Sequence, residues 1–230
     1  MTGTKRKLPF WATLLTILGV LVLCGLGSWQ VQRLQWKQDI LDKLEAAYNN
    51  PIDNPAISEM DQDSFTYGKI EGRFLFEKSI LLGHTIKNET TGQFLITPLE
   101  TDQGTLLINM GFNKYADPLD NHYLELFNGK NIAFTGIIRK PKWNSFTPDN
   151  APEKDTWYRL DIPQIAEIKG LNNPLPMVMY ADSASKKFDG QYPNNERWQP
   201  NNNHMQYAFF WFTLAGALIT IYCLRFLRKN

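Results

Sequence analysis

Cysteine is scarce: Cys24 and Cys223 are the only two in 230 residues. Each lies in an uncharged apolar run at one end of the chain. Helical rise across a shared bilayer would separate them by on the order of 15 Å, beyond disulfide reach. The stretch between the runs has no cysteine, which excludes thiol redox chemistry and thiolate metal sites there. Histidine is almost as rare, with only His84, His122 and His204. A G-x-S-x-G elbow, an H-E-x-x-H helix, a C-x-x-C pair and a phosphate-binding glycine loop are all missing. Gly25-Leu26-Gly27 begins like a dinucleotide fingerprint but lacks the third glycine. Glu71 with Glu77, and Asp149 with Glu153, are paired carboxylates in sequence alone, as expected on a solvated face. No catalytic residue is assigned, and an enzyme is not expected. A mean hydropathy of −0.35 also excludes a chain mostly buried in lipid.

Acidic residues are missing from both ends: none precedes Asp39 and none follows Glu196. The two longest uncharged runs occupy these acid-free ends. Leu8 to Trp29 is 22 residues long, a helix of roughly 33 Å against a hydrocarbon core of about 30 Å. Tyr207 to Leu224 has 18 residues, roughly 27 Å as a helix, and extension back to His204 adds about one turn. Both runs are predicted to span a membrane. A cleaved signal peptide is the rival for the first, because Lys5, Arg6 and Lys7 form an n-region. Its apolar stretch is too long, however, and no A-x-A site follows. Lys5, Arg6 and Lys7 precede the first span, while Arg225, Arg228 and Lys229 follow the second. The positive-inside rule then places both termini in the cytoplasm. The expected organisation is 1–7 cytoplasmic, 8–29 spanning, 30–206 extracytoplasmic (periplasm or intermembrane space), 207–224 spanning and 225–230 cytoplasmic. The outer segment holds 18 basic and all 23 acidic residues, a charge of −5. That sign gives no electrostatic case for nucleic-acid binding.

The predicted fold class is an α+β membrane protein, two transmembrane helices flanking an antiparallel β-sheet or barrel with short helices. The first helix should continue beyond the membrane, since Trp29, Arg33, Trp36, Lys37 and Ile40 recur at helical spacing. Leu41, Leu44 and Tyr48 extend the stripe to about Asn49, before Pro51 and Pro55. Strands are predicted over Phe65–Phe76, Ser79–Lys87, Gly92–Glu100, Gly104–Asn113, Lys130–Arg139 and Pro176–Ala181. Asp117-Pro118 opens a short helix, with Asp at the N-cap and Pro at the first helical position, and Asp161-Ile162-Pro163 opens another. The second of these should end at Gly170. Asn194–Asn203, rich in Asn and Pro, reads as a tether. In Phe146–Asp161 the rings of Phe146, Trp157 and Tyr158 are too large to leave in water, so a structured element is expected.

His84 in a strand and His122 in a polar short helix read as ordinary surface or turn residues. His204 differs because it stands at the membrane boundary of the second helix. It suits the headgroup region as an amphipathic ring. It also suits a ligand role, since imidazole binds haem iron and the helix N-terminus favours the neutral ring. The residues alone leave both roles open.

The run Gly27-Ser28-Trp29-Gln30-Val31-Gln32-Arg33-Leu34-Gln35-Trp36-Lys37 resembles the first-helix signature of the surfeit locus protein 1 family. Gly92–Leu99, Ile108–Phe112, Phe146–Asp161 and Asn203-His204-Met205-Gln206-Tyr207-Ala208 with Trp211-Phe212 resemble further segments, in order. Met110 departs from the family's usual arginine in its N-R-G-[WF] segment. The resemblance implies an assembly factor for haem-copper cytochrome oxidases that binds haem a transiently and aids its insertion into the catalytic subunit. It implies His204 as the iron ligand and Trp29 beside the porphyrin. Arg33, Lys37 and Arg197 are candidate propionate partners or, equally, headgroup anchors, and Trp29 would also suit an interfacial belt. The alternative is a membrane scaffold that holds an oxidase intermediate without touching haem. Implied partners are the oxidase catalytic subunit, the haem a synthesis machinery and the bilayer. Only seven residues precede the first run, too few for a mitochondrial presequence, so a bacterial plasma membrane or a processed chain is expected, with a mitochondrial inner membrane second.

Overall fold

The computed structural model describes residues 9–61, 63–87, 90–114, 128–182 and 202–227. They form two compact units, one from the two ends of the chain and one from Lys43–Trp198. Helix α1 runs Phe10–Asn49, continuing past the apolar run as its stripe requires and stopping before Pro51. At the other end, α3 runs His204–Tyr222 and continues as a π-helical turn over Cys223–Leu227. Both helices are long and apolar enough to cross a membrane.

The second unit is built on seven strands: β1 (Ile52–Asp53), β2 (Thr66–Phe74), β3 (Ile80–Lys87), β4 (Thr90–Glu100), β5 (Thr105–Lys114), β6 (Asn131–Arg139) and β7 (Pro174–Ala181). Five close into a barrel in the order β2-β6-β7-β5-β4 and back to β2, with β3 beside β4 and β1 beside β2. Two register pairs make the closure, Arg73 with Glu100 and Phe74 with Leu99. Gly72 permits it, since a Cβ there would lie 2.4 Å from the Glu100 carbonyl oxygen.

The expected antiparallel arrangement is corrected in two places. β5 and β7 pair in parallel, as do β1 and β2. β7 inserts between β6 and β5, which run in opposite directions, so it must lie parallel to one of them. Hairpin-length gaps in the sequence report only pairs between consecutive strands, and β7 reaches its place across a long connection.

In β2, buried Gly68, Ile70, Gly72 and Phe74 alternate with exposed Lys69, Glu71 and Arg73. The interior is packed by Ile70, Phe74, Leu95, Leu106, Ile108, Phe134 and their neighbours. Met110 belongs to this interior and is 4% exposed, an apolar residue in an apolar core. β5 is buried on both faces, because a second layer covers its outside: Leu107 packs with Trp157, Leu160, Ile165 and Val178. Helix α2 (Ile162–Lys169) belongs to that layer. It opens after Asp161 and ends at Gly170 as expected: the Asp161 side chain accepts a hydrogen bond from Gln164 N, and Gly170 is left-handed.

Phe146–Asp161 is ordered largely by one side chain. Asn150 Oδ1 accepts from the backbone N–H of Tyr158 and Arg159, while its Nδ2 donates to Arg159 O and Gln164 Oε1. The Arg159 guanidinium reaches Asp149 and the Thr147 carbonyl. Trp157 is 1% exposed, and its carbonyl accepts from Gly83 N at 2.6 Å. Phe146 corrects the expectation. It is 92% exposed, because the turn at its position lifts the ring away from this layer.

The expected helix at Asp117-Pro118, His122, Arg197 and the Asn194–Asn201 part of the tether lie outside the described residues.

Candidate functional site at the paired helix ends

Four contacts set the register of α1 against α3. Thr13 Oγ1 lies 2.6 Å from the Tyr222 hydroxyl. A Cβ on Gly19 would lie 3.1 Å from Leu218 Cδ2, and one on Gly27 would lie 2.7 Å from the Phe212 ring. Gln30 Oε1 then lies 2.8 Å from His204 Nδ1. Residue numbers rise along one helix as they fall along the other, so the pair is antiparallel. Its seam is made of small residues, with Gly27 buried and Ala208 and Ala215 about 5% and 4% exposed. Small side chains let helix backbones approach, which is how apolar helices pack without help from water.

His204 is the first residue of α3 and is half-buried. Gln30 is 9% exposed. An amide oxygen facing Nδ1 is satisfied by the Nδ1–H tautomer, which leaves the lone pair on Nε2. The ring is thereby arranged to donate from Nδ1, and Nε2 has no hydrogen-bond partner among the described residues.

The other candidates lie along α1. Trp29 is 54% exposed, about 100° around the helix from Gln30 and so off the face that meets α3. The Arg33 guanidinium carbon sits 4.1 Å from the centre of the Trp36 ring, and Lys37 Nζ sits 5.6 Å from it. Both cations are gathered onto one indole, itself 46% exposed. The residue that sequence reasoning passed over is Gln30. Its signal was an amide one turn after Gly27, the first after the apolar run.

The barrel offers a different surface. A cleft of about 540 Å³ opens beside the closure, walled by Lys69, Arg73, Glu71, Glu100 and Asp102 among others. Its lining carries both signs of charge and no aromatic ring, which is poor support for a flat apolar ligand. Among the described residues, no three His, Cys, Asp or Glu side chains converge as a metal cage.

The SURF1 family model matches residues 17–216, nearly the whole chain. The chain belongs to the SURF1 family. It is 28% identical over 228 residues to surfeit locus protein 1 of Mus musculus, covering 90% of this chain and 72% of that protein. It is 28% identical over 219 residues to the SURF1-like protein of Rickettsia bellii, covering 91% and 89%. The SURF1-like protein of Dictyostelium discoideum is 27% identical over 255 residues, covering 89% and 92%. The match takes in Gly27, Trp29, Gln30, His204 and Phe212, so the helix-pair site lies within the family region.

Proposed function

We propose that this SURF1 family protein is an assembly factor for a haem-copper cytochrome oxidase, binding haem a as cargo and aiding its insertion into the catalytic subunit. It works without catalysing a reaction. Two spans hold it in the plasma membrane with both termini in the cytoplasm and residues 30–206 outside, in keeping with the basic ends and the two apolar helices. The oxidase catalytic subunit is its partner, and the haem a synthesis machinery its source of cargo.

The observation that carries this reading is the His204–Gln30 contact at 2.8 Å. It supports a ligand role because an imidazole that donates from Nδ1, at the junction of two apolar helices, keeps Nε2 for a metal. The residues fit the cargo. Haem a is a largely apolar macrocycle with an iron that takes imidazole and two propionates that take cations. His204 offers the nitrogen, Arg33 and Lys37 offer positive charge, and Trp29 offers an exposed aromatic face. A single protein ligand suits a carrier, because one bond is easier to surrender than the closed ligation of a permanent cytochrome.

Purification of the full chain from haem a-producing cells tests the reading. The expected result is a haem absorption spectrum that His204→Ala loses while expression and membrane insertion stay normal. Equal haem content with the same Soret position in that variant would refute the ligand assignment. A wild-type protein that carries no haem yet co-purifies with the oxidase subunit would favour the scaffold reading.

A further inference from the structure

We propose that Gln30 is a positioning residue, selecting Nε2 of His204 as the iron-binding nitrogen and keeping that bond weak enough for the cargo to leave. This rests on His204 being the ligand.

The contact is built into the helix pair. Gln30 is 9% exposed at the end of an apolar run, where an amide without a partner would be costly. Gly27, one turn earlier on the same face, has no Cβ, and the Phe212 ring occupies that space. The close approach brings Gln30 Oε1 to 2.8 Å from His204 Nδ1. The orientation of the carboxamide decides what the imidazole can do. With its oxygen toward Nδ1, the proton sits on Nδ1 and the Nε2 lone pair is available to a metal. With its NH2 toward Nδ1, the proton would sit on Nε2, which could then not ligate a metal.

The chemical type of the partner matters as much as its place. Ligand histidines usually give their second N–H to a carboxylate or a carbonyl, and the partner sets how basic the metal-bound nitrogen becomes. A carboxylate pulls the imidazole toward imidazolate and strengthens the bond. The carboxamide of Gln30 is neutral, so it orients the ring and adds little to its donor strength. Such a partner suits a protein that must both hold and release.

The test uses the full-length protein in detergent. In the haem-free state, ¹⁵N-labelled histidine is read by NMR, with His204→Ala identifying the His204 signal. The expected wild-type result is the Nδ1–H tautomer. Gln30→Leu should give mixed tautomers and lower the affinity for ferrous haem a by about 10–100-fold at unchanged melting temperature. Gln30→Glu should keep the tautomer, raise the iron–histidine stretching frequency in resonance Raman spectra and slow haem transfer to apomyoglobin. An Nε2–H tautomer in the wild type would overturn the proposal. So would a Gln30→Leu protein with wild-type affinity and stretching frequency. If His204→Ala keeps its haem, the ligand reading has failed and this proposal falls with it, whereas a failure of the tautomer result alone leaves the ligand reading intact.

Discussion

The ring of Phe212 fills the space where a side chain at Gly27 would stand, 2.7 Å from the position of a Cβ. That contact comes one turn before Gln30 meets His204, so it governs how closely the two helices can approach at the site. Gly27→Ala should force the ring aside and cost about 1–3 kcal/mol by overpacking. The melting temperature in detergent should fall, and Phe212→Leu in the same chain should restore part of it. No change in Gly27→Ala would show that the Phe212 ring swings away freely.

Trp29 is 54% exposed, so its removal should barely touch stability. Trp29→Ala is expected within about 0.5 kcal/mol of wild type in denaturant titration. Any loss of haem in that variant is then a property of the site. Trp29→Phe, which keeps an apolar ring, should retain more haem than Trp29→Ala, as read by the Soret absorbance per protein.

Trp157 and Phe146 share a segment and should behave oppositely. Trp157→Ala removes a ring that is 1% exposed and should cost about 3–5 kcal/mol, seen as low abundance and a lowered melting temperature. Phe146→Ala, at a side chain 92% exposed, should stay within about 0.5 kcal/mol. Asn150→Ala should fall between them, because it leaves the N–H groups of Tyr158 and Arg159 without their acceptor.

Burial pushes the Tyr180 hydroxyl above the usual phenol value, against the opposing pull of the Arg139 guanidinium stacked on its ring. A group raised in the folded state contributes stability that is complete below its unfolded value, about 10 for tyrosine. That contribution is lost as pH climbs through the raised folded value. Stability of the full chain should therefore decline above about pH 10, and Tyr180→Phe should flatten the decline. An identical alkaline profile in the variant would remove Tyr180 as its source.

The proposed topology has a direct readout. Reporter fusions after Asn50 should be active outside the cytoplasm and fusions after Asn230 inside it. A C-terminal fusion active outside would remove the two-span arrangement.

The sequence by itself determined whatever depends on neighbours along the chain. Helix α1 ends at Asn49 because the apolar stripe stops there and Pro51 follows. Helix α2 starts after Asp161 and stops before Gly170 for reasons local to those residues. The strands follow alternation and turn residues, and the two apolar helices follow composition. Barrel closure did not depend on neighbours: it joins Arg73 to Glu100 across 27 positions of chain and needs Gly72 to be bare. Nor did the parallel seating of β7 beside β5, or the exposure of Phe146 beside a buried Trp157. The candidate site divides along the same line. His204 and Trp29 were visible as residue types at the ends of apolar runs, whereas Gln30 joins the candidate site through a histidine 174 positions away. Only the pairing of two antiparallel helices, brought close by Gly27, puts that amide within 2.8 Å of the ring, because hydrogen bonds depend on distance in space and periodicity reports only distance along the chain.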